Sequence, residues 1–175
     1  MLKIIFLALA ATAIGAAGAS AHVTLEGREA PIGASFKAVL RVPHGCEGKP
    51  TNTLRIQIPE GFFGVKPQPK SGWKLEKIIG KYEKAYNNHG APMVEGVKEV
   101  IWSGGSLGDD EYDEFILRGT IADSLQPGDS LFFPVVQECP EGLNERWIEI
   151  PAGGQKASDL EMPAPAIKLI EKMAH

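Results

Sequence analysis

Short alternating stretches set off by turn residues constrain this chain more than any other feature. In Ser35–Pro43 (SFKAVLRVP), Phe36, Ala38, Leu40 and Val42 share one face. In Thr53–Pro59 (TLRIQIP), Leu54, Ile56 and Ile58 do the same. Side chains along a strand point to opposite faces in turn, so a period of two buries one face and wets the other. Trp73–Ile79, Glu99–Ser103, Asp113–Ile121, Ser130–Gln137 and Arg146–Ile150 follow, rich in β-branched and aromatic residues and bounded by Gly, Pro, Asn or Asp. Gln126-Pro127-Gly128-Asp129 is a turn ahead of LFFPVV, and Glu60-Gly61 ends a further strand. Seven or eight strands without helical periodicity predict an all-β antiparallel sandwich. The polar, Gly/Pro-containing stretch Tyr82–Val97 reads as a long hairpin or an inserted loop, and Pro151–Pro165 as irregular. Ala166–Met173 (AIKLIEKM) suits either a closing strand or a short helix.

Residues 1–21 break this pattern. Lys3 precedes a mostly apolar run from Ile4 to Ile14, and Ala19-Ser20-Ala21 supplies small residues for cleavage, the features of a signal peptide. Cleavage after Ala21 leaves one domain's worth of chain, with the sandwich over residues 22–165 and a C-terminal tail over 166–175. No later run is apolar and long enough to span a bilayer, so the expectation is a periplasmic or secreted chain without a transmembrane segment. The net charge of −4 falls to −5 once Lys3 leaves. A mildly acidic chain without a Lys/Arg stripe is a poor nucleic-acid binder. Two cysteines, Cys46 and Cys139, in an oxidising compartment favour a disulfide. It would close a loop of about 94 residues and contribute roughly 4–5 kcal/mol at most by the chain-entropy model. The rival, a thiolate pair for Cu(I), finds neither a CxxC spacing nor a Met-rich cluster.

Cleavage would also turn His22 into the first residue. A terminal histidine offers an α-amine and an imidazole Nδ1 that together close a chelate ring on a metal. Two nitrogen donors suit Cu(II), which tops the divalent affinity series. The plainer alternative is that His22 merely follows the cut. Further donors are available in Val42-Pro43-His44-Gly45-Cys46-Glu47-Gly48, where His44 or Glu47 would sit in an end loop steadied by the disulfide. Against this, His44 would cap a turn and Glu47 would be solvated. His89, in Asn87-Asn88-His89-Gly90, reads as a surface residue, and His175 carries little weight. Trp102 and Trp73 read as packing residues, and pattern alone puts Trp147 in the core as well. The acidic run Asp109–Glu114 lacks the spacing and glycine of a calcium loop. No GxSxG, HExxH, phosphate-binding glycine loop or paired acid–base signature is present.

Several segments, taken in order, resemble the YcnI-like family of bacterial exported copper-binding proteins. They are His22-Val23-Thr24, Val65–Trp73 (VKPQPKSGW), Tyr112-Asp113-Glu114-Phe115, Leu125–Asp129 (LQPGD) and Arg146-Trp147-Ile148-Glu149. Each is weak alone, and together they span most of residues 22–165. The resemblance implies an immunoglobulin- or fibronectin-like sandwich and a Cu(II) site of the single-histidine-brace type. In such a site the terminal histidine gives amine and imidazole, a glutamate gives oxygen, and a tryptophan lies close to the ion. His22 matches the brace and Trp147 the tryptophan. Where the family pattern has its glutamate, this chain has His44-Gly45-Cys46-Glu47, so either Glu47 fills the role with shifted spacing or His44 replaces it.

Three functions follow as expectations. The first is a non-enzymatic exported copper-binding protein in copper acquisition, delivery or tolerance, with a membrane copper transporter or a copper chaperone as partner. The second is a copper-dependent oxidative enzyme of the monooxygenase kind, in which His44 would be the second histidine of a brace. The third is an interaction module without metal, in which His22 is incidental.

Overall fold

The computed structural model describes residues 22–172. The signal-peptide segment and His175 lie outside the described residues. Twelve strands are present: β1 (Thr24–Leu25), β2 (Glu29–Pro31), β3 (Ser35–Val42), β4 (Thr51–Gln57), β5 (Phe62–Pro67), β6 (Lys74–Asn88), β7 (Ala91–Leu107), β8 (Asp113–Ile121), β9 (Ser130–Phe132), β10 (Val135–Glu138), β11 (Asn144–Trp147) and β12 (Ala166–Ile170). One sheet has the order β1-β3-β8-β5 and a second β11-β10-β4-β7-β6, both antiparallel throughout. A small third sheet, β2-β12-β9, flanks them. Among the described residues no helix is long and apolar enough to cross a membrane.

The alternation seen in the sequence becomes the core. Ala38, Leu40 and Val42 of β3 and Phe115 and Leu117 of β8 face Leu54 and Ile56 of β4, Val100 and Trp102 of β7, and Val135 of β10 in one buried cluster. Trp102 meets Phe115 edge-on across the two sheets, with ring centroids 5.5 Å apart. Its indole N–H donates to the Gln68 carbonyl at 3.1 Å, so the ring is buried without a stranded donor. The sandwich expectation holds.

Four differences from the sequence reading have physical causes. Ala166–Ile170, set aside as tail, is the middle strand of the third sheet: it pairs parallel with β2 and antiparallel with β9 and buries Ile167 and Leu169 completely or nearly so. The domain therefore runs past residue 165. Ser130–Gln137 is two strands, not one. Pro134 has no N–H to give a ladder, and there the chain leaves β9 of the third sheet and enters β10 of the second. β5 escaped notice because Phe62 and Phe63 are both buried, on opposite sides of the sheet, and because Gly64, at φ +63°, sits in a bulge. Finally, Trp73–Ile79, Tyr82–Val97 and Glu99–Ser103 form a single hairpin of 15- and 17-residue strands. Register shifts at Ile78/Ile79 and Lys81/Tyr86 bend its distal half into an arm. The arm lies over β5, where Tyr86 stacks on Phe63 at 4.8 Å.

Candidate metal centre

The histidines of interest meet at the end of the sandwich where β3 finishes. β1 pairs with β3 in the register Thr24↔Arg41 and Leu25↔Leu40. Continued by two residues, that register brings His22 level with Pro43, next to His44. Val23 is buried, which seats the segment against the core. Beyond Val42 the chain turns sharply. Cys46 and Lys49 exchange two backbone hydrogen bonds, each 2.8 Å, across Glu47 and Gly48 at φ +49° and +81°. This is the left-handed pair of a tight two-residue turn. Gly45 admits no side chain, since a Cβ there would lie 1.9 Å from the Lys49 carbonyl oxygen.

The other wall comes from β10 and β11. Their register, Val135↔Trp147 and Gln137↔Glu145, turns Val135, Gln137 and Trp147 to the inner face. Trp147 is 2% exposed, and its Nε1–H donates to Gln137 Oε1 at 2.7 Å. Because an indole N–H only donates, the amide oxygen must face it, and the amide nitrogen turns the other way. That nitrogen donates to the His44 carbonyl and to Thr51 Oγ1, each at 2.9 Å. Gln137 is fully buried, and the oxygen and both N–H groups of its amide have partners. Two residues further, just past the end of β10, Cys139 is disulfide-bonded to Cys46, with Cα atoms 6.2 Å apart. The loop carrying His44 is thus held covalently at Cys46 and through its carbonyl at His44.

Both histidine rings stand edge-on to the same indole. The centroid of His22 is 5.2 Å from that of Trp147 and the centroid of His44 is 6.5 Å away. Each histidine is half-buried. His44 Nδ1 lies 2.6 Å from the Gly45 carbonyl oxygen, which only accepts, so Nδ1 carries a proton and Nε2 is the ring nitrogen that can serve as a donor atom in the neutral form. Such a tautomer lock is what metal-ligating imidazoles need.

Of the residues singled out by sequence, His22, His44, Trp147, Cys46 and Cys139 come together. Glu47 does not join them: it is exposed at the tip of the Cys46–Lys49 turn. Among the described residues no group of three or more His, Cys, Asp and Glu side chains is placed to hold a metal ion. The side chains assembled here are two imidazoles, and a third nitrogen would be the amine that cleavage at residue 22 frees. His89 is remote, at the tip of the arm, with φ +54°. Gln137 and Thr51 were missed. A signal existed, for in Val135-Val136-Gln137-Glu138-Cys139 the glutamine occupies the inward phase set by Val135.

Comparison with known proteins bears on the fold. No curated protein matches the chain. An uncharacterized protein from Nocardia farcinica with an immunoglobulin-like fold superposes with a TM-score of 0.64 at 20% identity, over 85% of this chain and 98% of that one. The sixth cohesin of scaffoldin B from Acetivibrio cellulolyticus, solved with a Cel5 dockerin, reaches a TM-score of 0.43 at 8% identity, over 85% of this chain and 97% of that one. The immunoglobulin-like sandwich expected from the resemblance is therefore the fold. A family model described as "Domain of unknown function (DUF1775)" matches residues 22–169, from the first histidine of the site to the last buried residue of β12, and the chain belongs to that family.

Proposed function

We propose that this chain is an exported Cu(II)-binding protein of the YcnI-like kind, active in copper acquisition, delivery or tolerance in the periplasm or outside the cell. The observation that carries the reading is the packing of two imidazoles, His22 and His44, against one buried indole. With the chain cut after Ala21, the His22 amine and imidazole supply two nitrogens and His44 Nε2 a third. Imidazole and amine donors suit Cu(II), and three nitrogens leave room for an exchangeable ligand. His44 then takes the place that the family pattern gives to glutamate, while Glu47 stays in solvent. Trp147 covers one side with an apolar ring, and Gln137 and the disulfide keep the His44 loop from relaxing. A shallow site of this kind suits handing an ion to a copper chaperone or a membrane copper transporter.

The test is titration of Cu(II) into protein whose first residue is His22. One tight stoichiometric site is expected. An extra residue ahead of His22 blocks the amine and is expected to weaken binding roughly a thousand-fold, about 4 kcal/mol. Equal affinity in the blocked and unblocked proteins would overturn the proposal. Absence of any site would leave the metal-free interaction module. The closeness of His44 to Trp147 also favours a second reading, a copper-dependent oxidative enzyme with a two-histidine brace. Ascorbate-driven oxygen consumption by the copper-loaded protein, well above that of free copper, would select it.

A further inference from the structure

A separate site lies at the opposite end of β3. That strand runs eight residues from Ser35 to Val42, about 25 Å of extended chain, with the histidines beyond Val42. At the Ser35 end the β6–β7 arm folds over the outer face of β5 and β8 and encloses a cleft of about 730 Å³. Its polar lining includes Ser35, Lys66, Asn88, His89, Arg118 and Thr120. Asp123 also borders the cleft but is paired with Lys172 at 3.0 Å.

Two cations of the cleft's lining, Lys66 and Arg118, belong to an unusual row of charge that Lys37 extends beyond the cleft. Arg118 on β8 is directly opposite Lys37 on β3 and Lys66 on β5. Residues in register share a face, so three exposed cations stand side by side. Like charges placed directly opposite one another on a sheet are unfavourable. Among the described residues none of the three is in an ion pair, whereas Arg41 on β3, Arg55 on β4 and Lys70 between β5 and β6 each have a carboxylate. A chain with 22 acidic residues and a net charge of −4 has left this row uncompensated beneath a built roof.

The roof is anchored at its base. Tyr86 stacks on Phe63, accepts a hydrogen bond from the Gly61 N–H at 2.7 Å and donates to Glu60 at 2.6 Å. At the tip, Asn87 Oδ1 accepts from the Gly90 N–H at 2.7 Å, which holds the Asn88–His89 turn over the floor.

We propose that this cleft binds a small oxyanion ligand, a carboxylate or phosphate compound, between the arm and the sheet. The Arg118 fork matches a carboxylate or phosphate edge bidentately, Lys66 adds a point charge, and the Thr120 hydroxyl with the Asn88 amide supplies neutral donors, while the Ser35 hydroxyl donates to the Gly119 carbonyl. The volume falls within the range of small-molecule sites, about 300–1,000 Å³. Binding there neutralises the row and removes its cross-strand repulsion.

The test is an amide-resolved NMR titration of the processed chain, with citrate and inorganic phosphate added separately at constant ionic strength. Saturable shifts are expected at residues 64–66, 87–90 and 118–120. Saturation by citrate alone identifies a carboxylate ligand, and saturation by phosphate alone a phosphate ligand. Arg118→Gln is expected to weaken binding at least about ten-fold, and Lys168→Gln, an exposed cation on β12, to leave it unchanged. Thermal unfolding of Arg118→Gln at or above the parent midpoint shows that lost binding is not lost folding. Copper-free His22→Ala protein should bind the anion as the parent does, which separates this site from the copper proposal. Shifts that rise linearly and spread over other lysines, or an Arg118→Gln protein that titrates like the parent, would overturn it.

Discussion

The two ends of the sandwich hold their side chains by different physics. At the histidine end, a disulfide and a buried amide fix the loop: Cys46–Cys139 ties it to β10, and Gln137 joins Trp147, Thr51 and the His44 carbonyl through neutral hydrogen bonds. At the arm end, ionisable groups do the holding. Glu60 accepts from both Lys98 and Tyr86, and Tyr86 is clamped between Phe63 and Tyr82. Burial raises the Glu60 pKa, but the Lys98 and Tyr86 hydrogen bonds outweigh it and hold the carboxyl below its usual range. Burial and the bond to Glu60 push the Tyr86 phenol up to about 12. The tethers at one end are therefore a reducible bond and a neutral amide, and those at the other are ionisable side chains. A site meant to grip a metal with fixed nitrogens gains from the first arrangement. The cleft at the arm end lies beneath a roof anchored by the second.

The hardest way to break this comparison is to remove the covalent pin. Replacing Cys46 and Cys139 together by serine should lower unfolding free energy by about 2–5 kcal/mol, read from denaturant midpoints. Cu(II) binding should weaken as well, because the loop from His44 to Lys49 loses its tether, while the oxyanion titration at the arm should not change. Copper affinity equal to the parent's in a protein so destabilised would show that the disulfide stabilises the sandwich without organising its histidines.

A smaller perturbation of the same end is Gln137→Leu. It leaves the Trp147 N–H and the His44 carbonyl without their partner, at about 1–3 kcal/mol for each buried group stranded. The near-ultraviolet signal of the indole should change, and Cu(II) affinity should fall less than with the cysteine pair removed. Gln137→Glu sharpens the point, since a carboxylate still accepts from the indole but cannot donate to His44. Loss of copper affinity in both variants, with the indole signal kept only in the second, would assign the effect to the His44 side of the amide.

How far this contrast could be read from sequence depends on what kind of pattern carries it. The sandwich was legible because Leu54, Ile56 and Ile58, or Ala38, Leu40 and Val42, repeat with the pleat, and a period of two survives whatever the strands pair with. The disulfide was legible from an even cysteine count in a chain read from its sequence as exported. Meeting of His22, His44 and Trp147 required the β1–β3 and β10–β11 registers, which no local pattern encodes; the resemblance supplied His22 and Trp147, and left His44 and Glu47 open. Glu47 stayed open between donor and solvated residue because the Glu47-Gly48 turn, which puts the tip in solvent, is a backbone event. The arm was half legible, as a hairpin. Its partner was hidden because Phe63 looks like one member of an apolar doublet until Tyr86 covers it, and the cation row because Lys37, Lys66 and Arg118 are each ordinary until β3, β8 and β5 align.

The finest test lies at the arm, in Tyr86→Phe. Phenylalanine keeps the stack on Phe63 and loses only the hydroxyl, so at neutral pH the cost should be about 1 kcal/mol. The informative reading is how that difference changes with pH. Tyr86 has a folded pKa of about 12 against an ordinary value of 10.0, so the folded state favours the protonated phenol. Its contribution is complete below pH 10 and is lost as pH rises toward 12. The parent should therefore lose its advantage over Tyr86→Phe across that window. Glu60 works in the opposite direction: its folded pKa lies below the ordinary 4.5, so its contribution is present above that value and is lost as pH falls through the folded pKa. Without the Tyr86 hydroxyl Glu60 keeps only Lys98 as a side-chain donor, so its folded pKa is lowered less and its acid loss should be smaller and complete at higher pH than in the parent. Paired thermal melts of the two proteins from pH 3 to 12 separate the limbs. A difference that stays constant at both extremes would mean that the arm is held by the Phe63–Tyr86 stack alone, and that neither end of the molecule is tethered by an ionisable group.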